Sequence, residues 1–183
     1  MEIAPSSAGI APNLQPVMLY LWDIIPSEGS IVDDIDRAIL SALQKDASLS
    51  VDQLSERVHL SRNACWRRIK RLEEDGIIKG RVALLDAAKL NVGLTAFIAV
   101  RTAQHEPGWL EKFSAAVRDL PEIVGVYRTT GDIDYLLQAV VPDVAGYDAL
   151  YKRLIARIPL SDVSSSFVME KIKETTALPL TQV

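Results

Sequence analysis

The sequence predicts an α+β protein in two parts, an N-terminal winged helix-turn-helix and a C-terminal ferredoxin-like βαββαβ domain. Three observations predict it: three closely spaced amphipathic helices in the first half, a basic island centred on the third, and strand-like and helix-like segments in the order β-α-β-β-α-β after about Asn91. The expected division is an irregular extension over 1–32, a helix-turn-helix over 33–85, a linker over 86–92, and a ferredoxin-like domain with a tail over 93–183.

The first helix is entered at Asp33, where acidic residues suit the positive end of a helix dipole, and Ile35, Ile39, Leu40 and Leu43 form its apolar stripe. It is expected to end between Asp46 and Ser48. Ser50 and Gln53 make a capping-box pattern for a short second helix carrying Val51, Leu54 and Val58. Ser61 caps the third. On that helix Cys65, Ile69 and Leu72 share one face, while Asn63, Arg67, Lys70 and Arg71 point roughly the opposite way, and Gly76 stops it. Ile77-Ile78 and Val82 to Leu85 read as two short extended pieces flanking Lys79-Gly80-Arg81, a basic hairpin in the position of a wing.

In the second half, Leu94 to Thr102 is rich in apolar and β-branched residues and reads as a strand. Pro107 to Leu120 carries Leu110, Phe113, Ala116, Val117 and Leu120 at helical spacing, with the proline suited to a first turn. Val124 to Thr130 and Tyr135 to Val141 are expected to be strands joined across Gly131-Asp132. A helix over Val144 to Ile158 and a strand over Val163 to Ile172 complete the unit.

Composition bounds the function. Of the 183 residues, 49% are apolar, 24% charged and 6% aromatic, which excludes a long disordered chain. One cysteine and two histidines cannot build a Cys/His zinc site or an intramolecular disulfide within the chain, so no metal or cofactor is expected. The apolar run Val17 to Ile25 is broken by Asp23 and is far short of the ~20 residues of a membrane helix. It also lacks a basic leader, so the expected location is the cytoplasm.

The net charge is −4, yet Arg62 to Arg81 holds seven basic residues against Glu73, Glu74 and Asp75. An acidic protein with one compact basic island suits a localised anionic partner, and the helix-turn-helix geometry makes that partner double-stranded DNA. Arg62, Asn63, Trp66 and Arg67 are then candidates for reading base edges, with Ser61 at the cap. Lys70, Arg71, Lys79 and Arg81 would position the phosphate backbone. Trp66 has two readings, contact with a thymine methyl or sugar and packing beneath the wing. Cys65, on the buried stripe, is expected to act as a small hydrophobe, with redox sensing as the alternative. His59 and His105 have no spacing for a metal or a catalytic triad.

Thr129-Thr130-Gly131-Asp132-Ile133-Asp134-Tyr135 is the most suggestive polar cluster outside the basic island. A hairpin turn accounts for it, glycine supplying an unusual backbone angle and aspartate bonding its own backbone. Its paired carboxylates have no third ligand or nucleophile nearby in sequence, so no catalytic residue is assigned.

With these residues in view, the chain from about Asp33 to Leu180 resembles the Lrp/AsnC, or feast/famine, family of bacterial and archaeal transcription regulators. The resemblance is carried by Asp36-Arg-x-Ile-Leu, Leu60-Ser61, Arg71-Leu72-Glu73-x-x-Gly76-Ile-Ile, Gly131-Asp132-x-Asp134-Tyr135-Leu136 and Val168-Met169-Glu170. Cys65-Trp66-x-Arg68, Gly93-Leu-Thr-Ala-Phe97 and Thr175-Thr176-x-Leu178-Pro179 are most similar to its cysteine-responsive members. The resemblance implies that 93–183 binds an effector and oligomerises, as a homodimer assembling to an octamer, with an amino acid, L-cysteine in the similar members, bound between subunits. Carried over residue by residue, it points to Thr130, Gly131, Asp132, Asp134 and Tyr135, with Ser166 on the neighbouring strand. Met1 to Val32 is longer than family members usually have. A packing arm, an irregular tail and an overlong start with Met18 as initiator are the readings open for it.

Two alternatives accompany this reading: a DNA-compacting architectural protein that senses nothing, and an enzyme like the siroheme decarboxylases, which are similar in architecture. The basic helix, the Gly131-Asp132 hairpin and the C-terminal wording argue against the enzyme.

Overall fold

The computed structural model describes residues 32–102 and 107–181; the Trp22 patch, Met18, His105 and nearly all of the expected extension lie outside them. The described chain falls into two compact units. One comprises the chain up to Ala83 together with the segment from Lys173; the other is Leu84–Ile172.

The first unit holds α1 (Asp34–Lys45), α2 (Val51–Arg57) and α3 (Arg62–Glu74). Each begins where a side chain satisfies an amide that the helix itself leaves unbonded. Asp33 accepts from the Asp36 amide at 2.8 Å while the Asp36 carboxylate accepts from the Asp33 amide at 3.2 Å, a reciprocal box built of two aspartates. Ser50 and Gln53 do the same for α2, at 3.2 and 2.9 Å. Ser61 accepts from the Ala64 amide at 3.3 Å. The turn between α2 and α3 places His59 at φ 54°, and Gly76 after α3 is at φ 71°, the left-handed conformation that ends a helix. Ile39, Leu40, Leu54, Cys65, Ile69 and Leu72 form the core, joined by Val32 and flanked by Leu180 from the tail.

The tail from Lys173 therefore groups with the helices, whereas the expected division placed it with the sheet. The wing also differs from expectation. Residues 77–86 pair in no strand, so Ile77-Ile78 and Val82 to Leu85 form no hairpin ladder, and Val82, Leu84 and Leu85 are exposed. Short strands that bury neither face gain too little to hold a two-stranded ladder alone.

The second unit is a four-stranded antiparallel sheet in the order β2-β3-β1-β4, from β1 (Leu94–Arg101), β2 (Ile123–Arg128), β3 (Tyr135–Val141) and β4 (Asp162–Phe167), with α4 (Pro107–Arg118) and α5 (Val144–Arg157). This is the expected ferredoxin-like βαββαβ unit. β4 stops at Phe167 rather than Ile172, because its pairing with β1 runs only from Ala96–Phe167 to Arg101–Asp162. Val168-Met169-Glu170 thus follows the strand.

Alternation sets the layers. Ile98 and Val100 of β1 and Tyr135, Leu137, Ala139 and Val141 of β3 are buried against Phe113, Leu120, Leu150 and Leu154 of the helical layer and its flanking turn, and Ala96 of β1 is buried as well. Phe113 lies stacked on Trp109, with ring centroids 5.0 Å apart, and tilted against Tyr135 at 4.7 Å. The opposite face presents Phe97 and Tyr127, both exposed, with Leu136 and Val140 partly so.

Phe113 is 1% exposed and makes both ring contacts, so Phe113→Ala should cost about 3–5 kcal/mol, measured by urea unfolding followed by circular dichroism. A loss under about 1 kcal/mol would mean that the aromatic cluster is not what holds the helical layer to the sheet.

Candidate functional site

Helix α3 is fastened to α1 by charge. Asp36 is fully buried, and its carboxylate accepts from Arg68 at 2.9 Å and from Arg71. Arg68 also reaches Asp33 at 2.6 Å. A carboxylate removed from water must be neutralised by ion pairs and hydrogen bonds, and both of its charged partners here come from one helix, the Asp33 amide being the third donor. The amide of Asp36 and the Arg68 guanidinium hold the Asp33 carboxyl below its ordinary value of 3.8. The folded pKa being the lower one, this cap stabilises at neutral pH and loses its contribution as pH falls through that depressed value.

The candidate DNA-binding residues then separate. Asn63, Trp66, Arg67 and Lys70 lie exposed on the outward face of α3. Trp66 is 51% exposed with the Lys70 ammonium 5.4 Å from its ring centroid, so it is an accessible surface group rather than one packed beneath a wing. Arg62 pairs with Asp52 of α2 at 2.8 Å across the turn. Arg71, expected among the phosphate contacts, instead spends its guanidinium on Asp36, with Asp75 at 4.0 Å. Arg81 reaches back to Glu73 of α3 at 2.9 Å, while Lys79 is exposed on the unpaired segment between them. Ser61 serves as the α3 cap.

Cys65 is fully buried, and burial raises its thiol pKa above the ordinary 9.0. The thiolate is thereby suppressed, which suits a core residue and not a redox sensor. Among the described residues no group of His, Cys, Asp and Glu is arranged to hold a metal, and no helix is long and apolar enough to cross a membrane.

The second cluster is the β2–β3 turn. Gly131 sits at φ 109°, a conformation strained for any side chain. The turn is closed by Thr129, whose amide donates to the Asp134 carbonyl at 2.9 Å and whose hydroxyl donates to the Ile133 carbonyl at 2.6 Å. Thr130, Gly131 and Asp132 are at its tip, and all three are exposed, while Thr129 is half-buried.

Asp134 and Tyr135 have structural duties there. The Asp134 carboxylate accepts from the Thr102 amide at 2.8 Å, tying the turn to the end of β1. Tyr135, expected to contact effector, is 7% exposed in the aromatic cluster, because the first residue of β3 faces the helices. Ser166 stands opposite Phe97, which stands opposite Gln138 on its other side; it is thus two strands and three residues from the start of β3, roughly 14 Å away. One chain does not bring Ser166 to the turn.

Arg101 was missed by sequence reasoning. Its guanidinium donates to the Asp132 carbonyl at 2.6 Å and pairs with Asp162 at 2.7 Å, bracing the turn against β4. The one signal in the sequence was its place at a strand end.

A helix with a clear polar face, held in a three-helix unit and followed by a separate α+β sheet unit, is the arrangement of a helix-turn-helix DNA-binding protein with a second domain. Residues 32–79 match the model of winged helix-turn-helix DNA-binding domains, and 95–178 match that of the Lrp/AsnC ligand-binding domain. The glutamate uptake regulatory protein of Zymomonas mobilis is 50% identical over 81% of this chain and 91% of that protein. The transcriptional activator DecR of Escherichia coli is 48% identical over 82% and 99%. Among solved structures, an AsnC family transcriptional regulator from Agrobacterium tumefaciens aligns with a TM-score of 0.79 and 55% identity, covering 81% of this chain and 97% of that one. A transcriptional regulator from Neisseria meningitidis in complex with L-Met aligns at 0.79 and 40%, covering 82% and 98%.

The chain belongs to the Lrp/AsnC family of transcriptional regulators, and it is a regulator rather than an enzyme.

Removing the buried carboxylate by Asp36→Ala leaves Arg68 and Arg71 without their shared partner. We expect a loss of about 2–3 kcal/mol in urea unfolding, with weakened DNA binding measured by fluorescence anisotropy. Unchanged stability and affinity together would show that α3 is held by its apolar stripe alone.

Proposed function

We propose that this protein binds a specific operator as a homodimer or a larger assembly in the cytoplasm, and that an amino acid bound between subunits biases that assembly. The observation that carries the DNA-binding part is the exposed face Asn63, Trp66, Arg67 and Lys70 on a helix whose rotation is locked by Asp36. In a major groove Asn63 and Arg67 suit base edges, and Lys70 and Lys79 suit phosphates. Arg71 and Arg81, tied to acidic neighbours, act as supports for the face.

The uncovered sheet face with Phe97 and Tyr127 supports association of copies through the sheet unit, since an apolar face of this kind is usually an interface. Octamers are the assembly we expect from dimers. The tip Thr130-Gly131-Asp132 supports the effector site: its exposed backbone and carboxylate suit the charged ends of a free amino acid. Ser166, distant within one chain, joins such a site only from another subunit. L-cysteine is the first effector to test, and L-methionine, bound by the Neisseria protein, is the second. Glutamate follows, from the name of the Zymomonas relative.

An effector shifts an assembly only if it binds one form better than another. Thermal unfolding against the twenty amino acids should therefore give a selective shift worth ~2.7 kcal/mol at 100 times the dissociation constant, with a change in light scattering. Stabilisation without any change in assembly or DNA affinity would refute the coupling; no shift with any amino acid would refute this effector class.

For the DNA face, Arg67→Ala with Lys70→Ala should weaken operator binding and lower the slope of log affinity against log salt by ~0.9 for each phosphate that the variant leaves unneutralised. An unchanged slope would move the phosphate-binding groups elsewhere. Equal affinity for unrelated sequences would favour the architectural reading.

A further inference from the structure

Helix α1 uses two faces. Asp36, Ile39, Leu40 and Leu43 look into the helical core, and a little over a third of a turn away Arg37, Ser41, Gln44 and Lys45 line a shallow groove that the DNA-binding reading does not use. The chain's own C-terminal segment lies along that face, and its Ala177, Leu178, Leu180 and Thr181 form the other wall of the groove. The Gln44 carboxamide reads the backbone of Leu178 in both directions, donating to its carbonyl at 3.2 Å and accepting from its amide at 2.6 Å. Leu180 packs against the helical core, while the Leu178 side chain stays 72% exposed.

This is how a groove recognises an extended peptide: a carboxamide takes one residue's main-chain pair, and an apolar side chain two positions on is the anchor. Pro179 between them restricts the backbone before docking, which lowers the entropy lost on binding. The Thr175 hydroxyl accepts from the Ala177 amide at 3.1 Å and shapes the approach. A segment held only by chance would bury no anchor and leave its amides to water.

We propose that the α1 groove is a recognition site for the chain's own segment 177–181, which makes that segment an integral part of the DNA-binding unit. The chain passes between the two compact units twice, at Ala83–Leu84 and again at Ile172–Lys173. The docked tail thus gives the DNA-binding unit a second covalent connection to the sheet unit, running directly from β4. Cutting it leaves only the segment before β1.

Two measurements on the full-length protein test this. In hydrogen exchange the Leu178 amide is expected to be protected, and Gln44→Ala should speed its exchange about fivefold or more. Leu178 exchange as fast as in an unstructured peptide, or unaffected by Gln44→Ala, would overturn the clamp. For the occupant, Lys45→Cys with Thr181→Cys, in a Cys65→Ala background, places two thiols along the groove without touching the clamp. A short bismaleimide should give a cross-linked monomer on a denaturing gel. A cross-linked dimer would mean that a second copy's tail fills the groove, and no cross-link would mean that the groove is empty; either overturns the proposal. Neither readout depends on effector or operator, so failure here leaves the proposed function standing.

Discussion

A single carboxylate, that of Asp36, sets the geometry on which the DNA-binding unit depends. It is fully buried, and both guanidinium groups that neutralise it come from α3. Rotating α3 by one residue would turn Arg68 and Arg71 away and leave a charge stranded in an apolar core, which is far more costly than losing an exposed ion pair. The helix is therefore locked in rotation as well as in place. Cys65, Ile69 and Leu72 resist separation from the core, but apolar contacts are weakly directional, and direction is what a reading helix needs. The same lock divides the basic island, with Arg68 and Arg71 turned to the buried carboxylate and Arg67 and Lys70 on the outward face, where the only acidic contact of Lys70 among the described residues is an exposed pair with Glu74 at 3.5 Å.

The sheet unit is organised by layering. With both helices on one face, every second residue of β3 is buried, and β1 keeps the same alternation from Ala96 onward. Tyr135 begins β3 on the buried side and completes the Trp109–Phe113 aromatic group, so the strand starts from a rigid point. The β2–β3 turn projects from that point, braced by the Asp134 carboxylate on Thr102 and by Arg101 on Asp132. The tip is thus held from both sides, with Gly131 and Asp132 exposed between the two braces.

Local features were the most legible. The caps at Asp33, Ser50 and Ser61, the stop at Gly76 and the turn at Gly131 all act over a few residues, and the structure has each of them. The buried stripe of α3 was legible for the same reason, since helical period alone determines which residues share a face. Arg71 and Lys70 could not be told apart that way, because the residue that separates them, Asp36, belongs to another helix. The hairpin of the wing differed for another reason: Ile77-Ile78 and Val82 to Leu85 are apolar runs that could extend, but a strand needs a neighbour, and the described residues supply none. Tyr135 looked polar beside Asp132 and Asp134, and only the strand's register turned it inward. Ser166 came from the family resemblance as an outlying residue, and within one chain β1 lies between its strand, β4, and β3.

Sequence by itself determined the two-part α+β architecture, the element order, the family and the position of the basic helix, because periodicity, caps and motif spacing are properties of neighbouring residues. Tertiary structure alone decided which arginines face outward, which turn residues are free, and that the tail from Lys173 joins the helices through Gln44 and Leu180. Those outcomes rest on pairings such as Asp36 with Arg71 and Gln44 with Leu178, between groups far apart along the chain. Burial makes the first of these decisive, because a charge withdrawn from water must find its partner wherever the fold places one; the second is an exposed clamp beside the partly buried Leu180.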